Sequence, residues 1–230
     1  MRFSDIHSHF VYGMDDGAQT AQEMEAMLDA AAADGVGRLI ATPHMTPGVQ
    51  PFAAERFAAH LAQARAYCLR RGYGLMLEAG AEMLYTPAFS QYLARHSLPT
   101  LGDSRQTLLE FAPDIPFAEI VEAAKLLERN GYVPVLAHVE RYRALAGGNL
   151  RRLRAQSAAR FQVNGSAVLG REGLLRGLRV RRWLRAGLID YVASDSHDCQ
   201  TRKTCMQSAY AALEKSVGAE YAGQLVGLCG

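Results

Sequence analysis

Thr107 to His138 reads T-L-L-E-F-A-P-D-I-P-F-A-E-I-V-E-A-A-K-L-L-E-R-N-G-Y-V-P-V-L-A-H. Its opening run, Thr107 to Phe111, is short and apolar apart from Thr107 and Glu110, as a strand buried on both faces is. Phe117, Ile120, Val121, Ala124 and Leu127 follow at three- and four-residue intervals and make one apolar stripe of a helix. Asn130-Gly131 closes that helix. Tyr132 to His138 is a second apolar run, and it ends on a histidine. Strand, helix, strand is the unit of parallel sheets, because parallel neighbours need a long crossover.

The same alternation extends in both directions. Phe3 to His7, Arg38 to Thr42, Leu75 to Ala81, Phe161 to Asn164 and Ile189 to Ser194 complete a set of seven short apolar strands. Between them, Thr20 and Glu23 form a capping-box pattern before a helix with apolar Met24, Met27, Leu28 and Ala31, ended by Gly35. Pro51 to Arg71, Glu172 to Ala186 and Thr204 to Val217 are further helical stretches. The chain has no internal repeat, low-complexity tract or Pro/Ser-rich linker. This pattern predicts an α/β domain with a parallel sheet, either a barrel or a doubly wound sheet, as a single domain over residues 1–230.

The composition is that of a packed soluble protein: 230 residues, 49% hydrophobic and 21% charged. Cys68, Cys199, Cys205 and Cys229 form no C-x-x-C pair and read as free thiols in a reducing compartment. No apolar signal segment or membrane-length apolar run is present, which predicts a cytoplasmic protein. Charge is unevenly spread. Arg141 to Arg185 contains twelve arginines and one acid, Glu172, within a chain of net charge +2. That segment suits either an anionic partner or a set of solvated helix faces. The sequence sets no oligomeric state.

Five of the seven histidines stand at predicted strand ends. His7 and His9 form an H-x-H pair, and alternate residues of a strand share a face. Asp15 and Asp16 follow. His44 comes after the second strand, Glu82 after the third, Glu110 closes the fourth and His138 the fifth, and Asp195 and His197 follow the seventh. In parallel α/β folds these carboxyl ends converge on the active site. His7, His9, Asp16, His44, Glu82, Glu110, His138, Asp195 and His197 in one crevice would be costly to desolvate unpaired. Metal cations offset that cost. Mixed imidazole and carboxylate donors suit zinc, manganese or iron, and a set of this size predicts two or three divalent ions with a bridging carboxylate. Singly, each residue has a plainer role open to it: a lone His44 could be structural, and Glu110 could pair with an arginine. His60 and His96 are assigned to surface or packing roles.

Several ions would generate a hydroxide near neutral pH and clamp the oxygens of an in-line displacement, chemistry that fits phosphoester or amide hydrolysis. Arg141, three residues after His138, and Arg202, five after His197, point to phosphate, which arginine binds bidentately. Surface positions are their alternative. No cysteine is followed six positions later by arginine, so the thiolate phosphate loop is absent. G-x-S-x-G and the Walker loop are absent too.

D-I-H-S-H at Asp5 to His9, D-D-G at Asp15 to Gly17, T-P-H at Thr42 to His44 and S-D-S-H at Ser194 to His197 resemble the PHP (polymerase and histidinol phosphatase) superfamily. With G-A-E, L-x-D-S-R (Leu101 to Arg105), L-x-E-F and A-H-x-E-R-Y (Ala137 to Tyr142) in this order, the chain is similar to the PHP-type tyrosine phosphatases of bacterial capsule and exopolysaccharide clusters. The resemblance runs from Phe3 to about Tyr210. It implies a distorted TIM-like (β/α)7 barrel of the PHP type with a trinuclear site, often manganese-dependent. It implies that His7, His9, Glu82 and Asp195 bind one ion, that Glu82 bridges to a second held by Glu110 and His138, and that Asp16, His44 and His197 hold the third. Arg141 and Arg202 would bind the phosphoryl group, and with Asp195 make up the catalytic set. The implied substrate is the phosphotyrosine-rich tail of a membrane-associated tyrosine kinase. Some PHP relatives have histidine where Glu110 and Asp16 stand here; the acids favour the tyrosine-phosphatase branch. Asp103 and Arg105 of L-x-D-S-R have no metal role and are expected to pair with each other.

Three other functions compete. A small-molecule phosphatase, such as one acting on histidinol phosphate, would keep the metals and change the substrate. A nucleic-acid enzyme would use the arginine-rich segment, but that segment lacks interleaved aromatics, so nucleic acid is not an expected partner. A non-catalytic metal-binding or scaffold module would be expected to have lost some ligands.

Overall fold

A computed structural model describes residues 2–228. The chain runs β1 (Phe3–Ser8), α1 (Ala21–Ala33), β2 (Val36–Ala41), β3 (His44–Met45), α2 (Ala54–Arg71), β4 (Met76–Ala79), β5 (Glu82–Leu84), α3 (Phe89–Leu93) and β6 (Gln106–Glu110). It continues α4 (Phe117–Arg129), β7 (Val133–Leu136), α5 (Asn149–Arg154), β8 (Arg160–Asn164), α6 (Gly165–Val168), α7 (Leu174–Arg185), β9 (Tyr191–Ala193), α8 (Met206–Val217) and α9 (Ala219–Leu225). Every predicted strand and helix has a counterpart. The short α3, α5, α6 and α9 carry too few turns to show a stripe in the sequence.

All strand pairs are parallel, in the orders β1-β2-β4 and β3-β5-β6-β7-β8-β9. The sheet curls until β9 meets β1, through a bridge between Ser8 and Ser196 and a 2.9 Å bond from the Asp195 amide to the His7 carbonyl. The wall is therefore a distorted parallel barrel, and the doubly wound alternative does not apply. Two predicted strands, the second and third, are each followed across a break by a short further strand, β3 and β5, that lies beyond the predicted bounds. After β2, Pro43 has no amide to donate, so the chain leaves the ladder with β1 and re-pairs as β3 on β5, with His44 opposite Glu82. After β4, a Cβ on Gly80 would lie 3.0 Å from the Ile40 side chain, so glycine lets the two strands approach at this break.

Packing follows the strand–helix pattern. The main core lies between the strands and the surrounding helices, with Met24, Leu28, Leu61, Ile120, Leu127, Val180 and Leu213 among the buried helix residues. A second cluster unites Ile6, Ile40, Leu101, Leu108, Val135, Ala137 and Ala193. These come from β1, β2, β6, β7 and β9, from Ala137 just after β7 and from Leu101 in the turn before β6, so they fill the space the strands enclose. The predicted capping box forms with a shift: Thr20 accepts from the Glu23 amide at 3.2 Å, and Glu23 reaches back to the Gln19 amide at 2.6 Å, one residue before the cap. The expected Asp103–Arg105 pair does not form among the described residues. Arg105 instead donates to the Gly131 carbonyl, tying the start of β6 to the end of α4. Cys68, Cys199 and Cys205 are free thiols, and Cys229 lies outside the described residues. Among the described residues, no helix is long and apolar enough to cross a membrane.

Candidate metal centre

The carboxyl ends of the strands bring the predicted donors together. His7, His9, Glu82 and Asp195 each offer a ligand atom, all within 4.8 Å of one another. The same holds for His9, Asp16, His44 and His197, and for His44, Glu82 and Glu110. His138 joins through its Nε2, 2.8 Å from Glu82 Oε1 and 3.4 Å from Glu110 Oε1. His9, His44 and Glu82 thus belong to more than one group. His7, His9, Glu82, His138, Asp195 and His197 are buried, His44 and Glu110 are half-buried, and Asp16 is exposed. His60 and His96 stand apart, stacked on Tyr12 and Tyr92.

The donor atoms meet in a way that suits cations. His7 Nε2 and His9 Nε2 face each other at 3.2 Å. Two ring nitrogens this close need a positive species between them, either a proton or a metal ion. Glu82 Oε2 is buried without a hydrogen bond, although His7, His44 and His9 nitrogens lie 3.1, 3.2 and 3.3 Å away. His197 Nε2 is also buried without a hydrogen bond, with Asp16 Oδ1 3.4 Å away. Orphaned buried donors and acceptors of this kind are costly in a protein without a ligand. The donor set, five imidazoles and four carboxylates, fits divalent ions with mixed N/O preference.

A surrounding layer sets the imidazole orientations. His9 Nδ1 lies 2.7 Å from Asp15 Oδ2, His7 Nδ1 lies 3.3 Å from Gln162 Oε1, and His197 Nδ1 lies 3.0 Å from the Asp195 carbonyl. Each acceptor takes the Nδ1 proton and leaves Nε2 free to ligate. Asp15 also accepts from the His44 amide at 2.8 Å and the Gly17 amide at 3.0 Å. Gln162 accepts from the His138 amide at 2.8 Å and donates to Asn164, which donates to Asp195 at 2.9 Å. β8, the one predicted strand without a ligand at its end, therefore supplies amides. Sequence reasoning missed Asp15 as an orienting group, although its place in D-D-G was the available signal. It missed Gln162 and Asn164, whose Q-V-N spacing puts both on one strand face. His138 and Asp195 have φ values of 29° and 53°, in the left-handed region that non-glycine residues rarely adopt. Such strain at two site residues is typical of positions held for function.

The electrostatics follow from burial among opposite charges. Burial opposes charge on His9, but the carboxylates of Asp15 and Glu82 outweigh it and push its pKa up to about 10. Burial is likewise overcome at Glu82, which His7 and His138 hold well below the usual carboxylate range. Burial and then the Glu82 charge push Glu110 up. Burial, with His9 and Arg202 adding to it, pushes His197 down to about 4. Protons and metal ions compete for these same lone pairs.

Both predicted arginines reach this cluster. Arg141 Nη2 donates to Asp195 Oδ2 at 2.9 Å, and Arg202 Nη2 lies 3.2 Å from both Asp195 oxygens. Arg202 Nη1 is 3.4 Å from Asp16 Oδ2. The loop that carries Arg202 is shaped by Asp198, whose carboxylate accepts from the amides of Gln200, Thr201 and Arg202 at 2.5, 2.6 and 3.2 Å. No arginine forms an ion pair with Glu110 among the described residues; its near partners are His138 and His44.

The family model for capsular polysaccharide synthesis CpsB/CapC proteins matches residues 3–228. The chain belongs to the CpsB/CapC family. A tyrosine-protein phosphatase CpsB of Streptococcus pneumoniae is 32% identical over 228 residues, covering 96% of this chain and 93% of the relative. Among solved structures, one from a study of YwqE from Bacillus subtilis and CpsB from Streptococcus pneumoniae, described as unique metal-dependent tyrosine phosphatases, superposes with a TM-score of 0.86. It is 31% identical and covers 95% of this chain and 89% of its own. A histidinol phosphate phosphatase from Lactococcus lactis shares the fold at a TM-score of 0.58 and 15% identity, covering 96% and 94% of the two chains. The barrel fold is thus shared with this histidinol phosphate phosphatase as well.

Proposed function

We propose that this chain is a metal-dependent protein-tyrosine phosphatase, a phosphoric monoester hydrolase formed by residues 1–230 as one domain. The observation that carries the reading is the meeting of Arg141 and Arg202 on Asp195, the same carboxylate that faces the His7–His9–Glu82 donors. Phosphate-binding guanidinium groups beside a multi-histidine, multi-carboxylate cluster suit phosphoryl transfer to water. Membership of the CpsB/CapC family and the tyrosine phosphatase relatives support the same activity.

His7, His9, Glu82 and Asp195 would hold one divalent ion. Glu82, Glu110 and His138 would hold a second, with Glu82 as bridge, and Asp16, His44 and His197 a third. Manganese is the ion we assign first, with zinc and iron next. Bound ions supply Lewis acidity at a phosphoryl oxygen and lower the pKa of water. Arg141 and Arg202 bind phosphoryl oxygens and stabilise the charge that develops on them. Asp15, Gln162 and the Asp195 carbonyl keep His9, His7 and His197 in the tautomer that presents Nε2. The substrate we assign is the phosphotyrosine tail of a membrane-associated tyrosine kinase that governs capsule or exopolysaccharide synthesis, met in the cytoplasm.

Hydrolysis of a phosphotyrosine peptide after chelation, then with manganese, zinc or magnesium added back, tests this reading. Activity is expected to vanish with chelator, return with one of these ions and ignore thiol alkylation. Metal binding with no phosphate released from any phosphotyrosine peptide would overturn it.

A further inference from the structure

Arg141 and Arg202 line a cavity of about 530 Å3, within the ~300–1,000 Å3 range of sites for whole small ligands. Three more cations share its wall: Arg171 and Arg176, from the loop before α7 and its first turn, and Lys203, next to Arg202. Two carboxylates, Glu172 and Asp195, oppose these five cations. Both are already engaged. Asp195 takes the two arginines and Asn164, while Glu172 accepts from Ser166 at 2.6 Å and pairs with Arg176 at 3.6 Å. Arg171 and Lys203 have no ion-pair partner among the described residues and are exposed. No aromatic or branched aliphatic side chain lines the cavity, so apolar burial is not what binds a ligand there.

Several other arginines of the arginine-rich segment are engaged away from this cavity. Arg154 and Arg160 are spent on Asp190, Arg152 stacks on Phe117, and Arg179 holds the Glu140 carbonyl and lies over Trp183. Arg171 and Arg176 line the cavity beside the metal centre, Arg176 while paired with Glu172 and Arg171 without an ion-pair partner among the described residues. A concave wall with uncompensated positive charge concentrates anions.

We propose that Arg171, Arg176 and Lys203 form a second anion subsite, next to the phosphoryl group held by Arg141 and Arg202, which takes an anionic side chain of the same peptide. This rests on the phosphatase reading for its first phosphoryl group. The anion is either a carboxylate or a second phosphotyrosine. A phosphoryl group carries about −1.5 to −2 charge and three acceptor oxygens, so it gains more than a carboxylate.

The test is binding, read by fluorescence anisotropy on manganese-loaded protein. The probes are three peptides with a non-hydrolysable phosphonate analogue of phosphotyrosine, flanked by alanine, by glutamate or by a second such analogue. The native protein is expected to bind the glutamate peptide about threefold to fivefold more tightly than the alanine peptide, and the doubly anionic peptide more tightly still. Raised salt should shrink both gaps. Arg171→Ala/Arg176→Ala/Lys203→Ala should abolish the preference and leave turnover of a small aryl phosphate unchanged. If the triple variant loses that turnover, Arg171→Gln and Lys203→Gln singly carry the test, each cutting the preference about twofold or more. Equal binding of the three peptides by native protein, or a preference that survives the substitutions, would overturn the subsite. A preference with no hydrolysis of any phosphotyrosine peptide would support the subsite and sink the phosphatase reading alone.

Discussion

Asp15→Asn isolates what the layer around the ligands contributes. Asp15 Oδ2 serves His9 Nδ1 at 2.7 Å and the His44 amide at 2.8 Å, and Oδ1 serves the Gly17 amide at 3.0 Å. Asparagine is the same size but has one acceptor oxygen. If that oxygen stays toward His9 and His44, the new NH2 faces the Gly17 N–H and that bond is lost. The two surviving bonds lose their charge. Hydrogen bonds to charged groups contribute ~1.5–3 kcal/mol against ~0.5–1.5 for neutral ones, so two bonds weakened this way cost about 2–3 kcal/mol. Second-layer substitutions at metal sites cost ~10- to 100-fold, which matches that range. Manganese affinity of Asp15→Asn is therefore expected to fall about thirtyfold or more, with the fold intact by circular dichroism. Because the ligands themselves remain, excess manganese should restore most of the turnover. Calorimetric titration of chelator-treated protein and turnover against metal concentration both read this. Native affinity in the variant, or lost turnover that no metal concentration restores, would refute the claim that Asp15 acts by orienting His9.

Four further outcomes follow from particular contacts. Glu82→Gln, which removes the carboxylate shared by two donor groups, should abolish metal-dependent turnover while circular dichroism stays native; full turnover would remove Glu82 from the site. Asp198→Ala removes the acceptor that gathers the amides of Gln200, Thr201 and Arg202; KM for a phosphotyrosine peptide should rise about tenfold as Arg202 loosens, with metal affinity unchanged. A Cβ on Gly17 would lie 2.1 Å from the His9 carbonyl oxygen, so Gly17→Ala should cost about 1–3 kcal/mol in denaturant unfolding and weaken metal binding, since backbone must move at a ligand. The Cys205 thiol is pushed by burial, then by Asp5 and Asp34, from 9.0 up to about 12. A folded-state pKa above the unfolded one favours the neutral thiol, so its contribution is complete below pH 9 and lost as pH rises toward 12. Cys205→Ala should flatten the alkaline fall in melting temperature, and an unchanged slope would show that this thiol does not matter there.

The alternation of apolar runs with helical stripes was legible residue by residue, because burial of a strand or a helix face leaves its period in the local sequence. Phe117, Ile120, Val121, Ala124 and Leu127 defined α4 without reference to anything else in the chain. The donor residues were legible for a related reason: parallel strands all point their carboxyl ends the same way, so a histidine or acid ending each run is brought to one crevice by topology alone. The breaks at Pro43 and Gly80 were not, since each depends on a neighbouring strand. Nor was the choice between barrel and open sheet, which turns on β9 returning to β1 across almost the whole chain. The tertiary structure alone decided which donors share space, and which groups orient them: His7 finds Gln162, and Arg202 meets Arg141 on Asp195. It also separated the arginines that brace Asp190 and the aromatic rings from those that line the cavity. Periodicity is written by the environment of one element, whereas the direction of a side chain toward a distant partner is written only by how the elements pack.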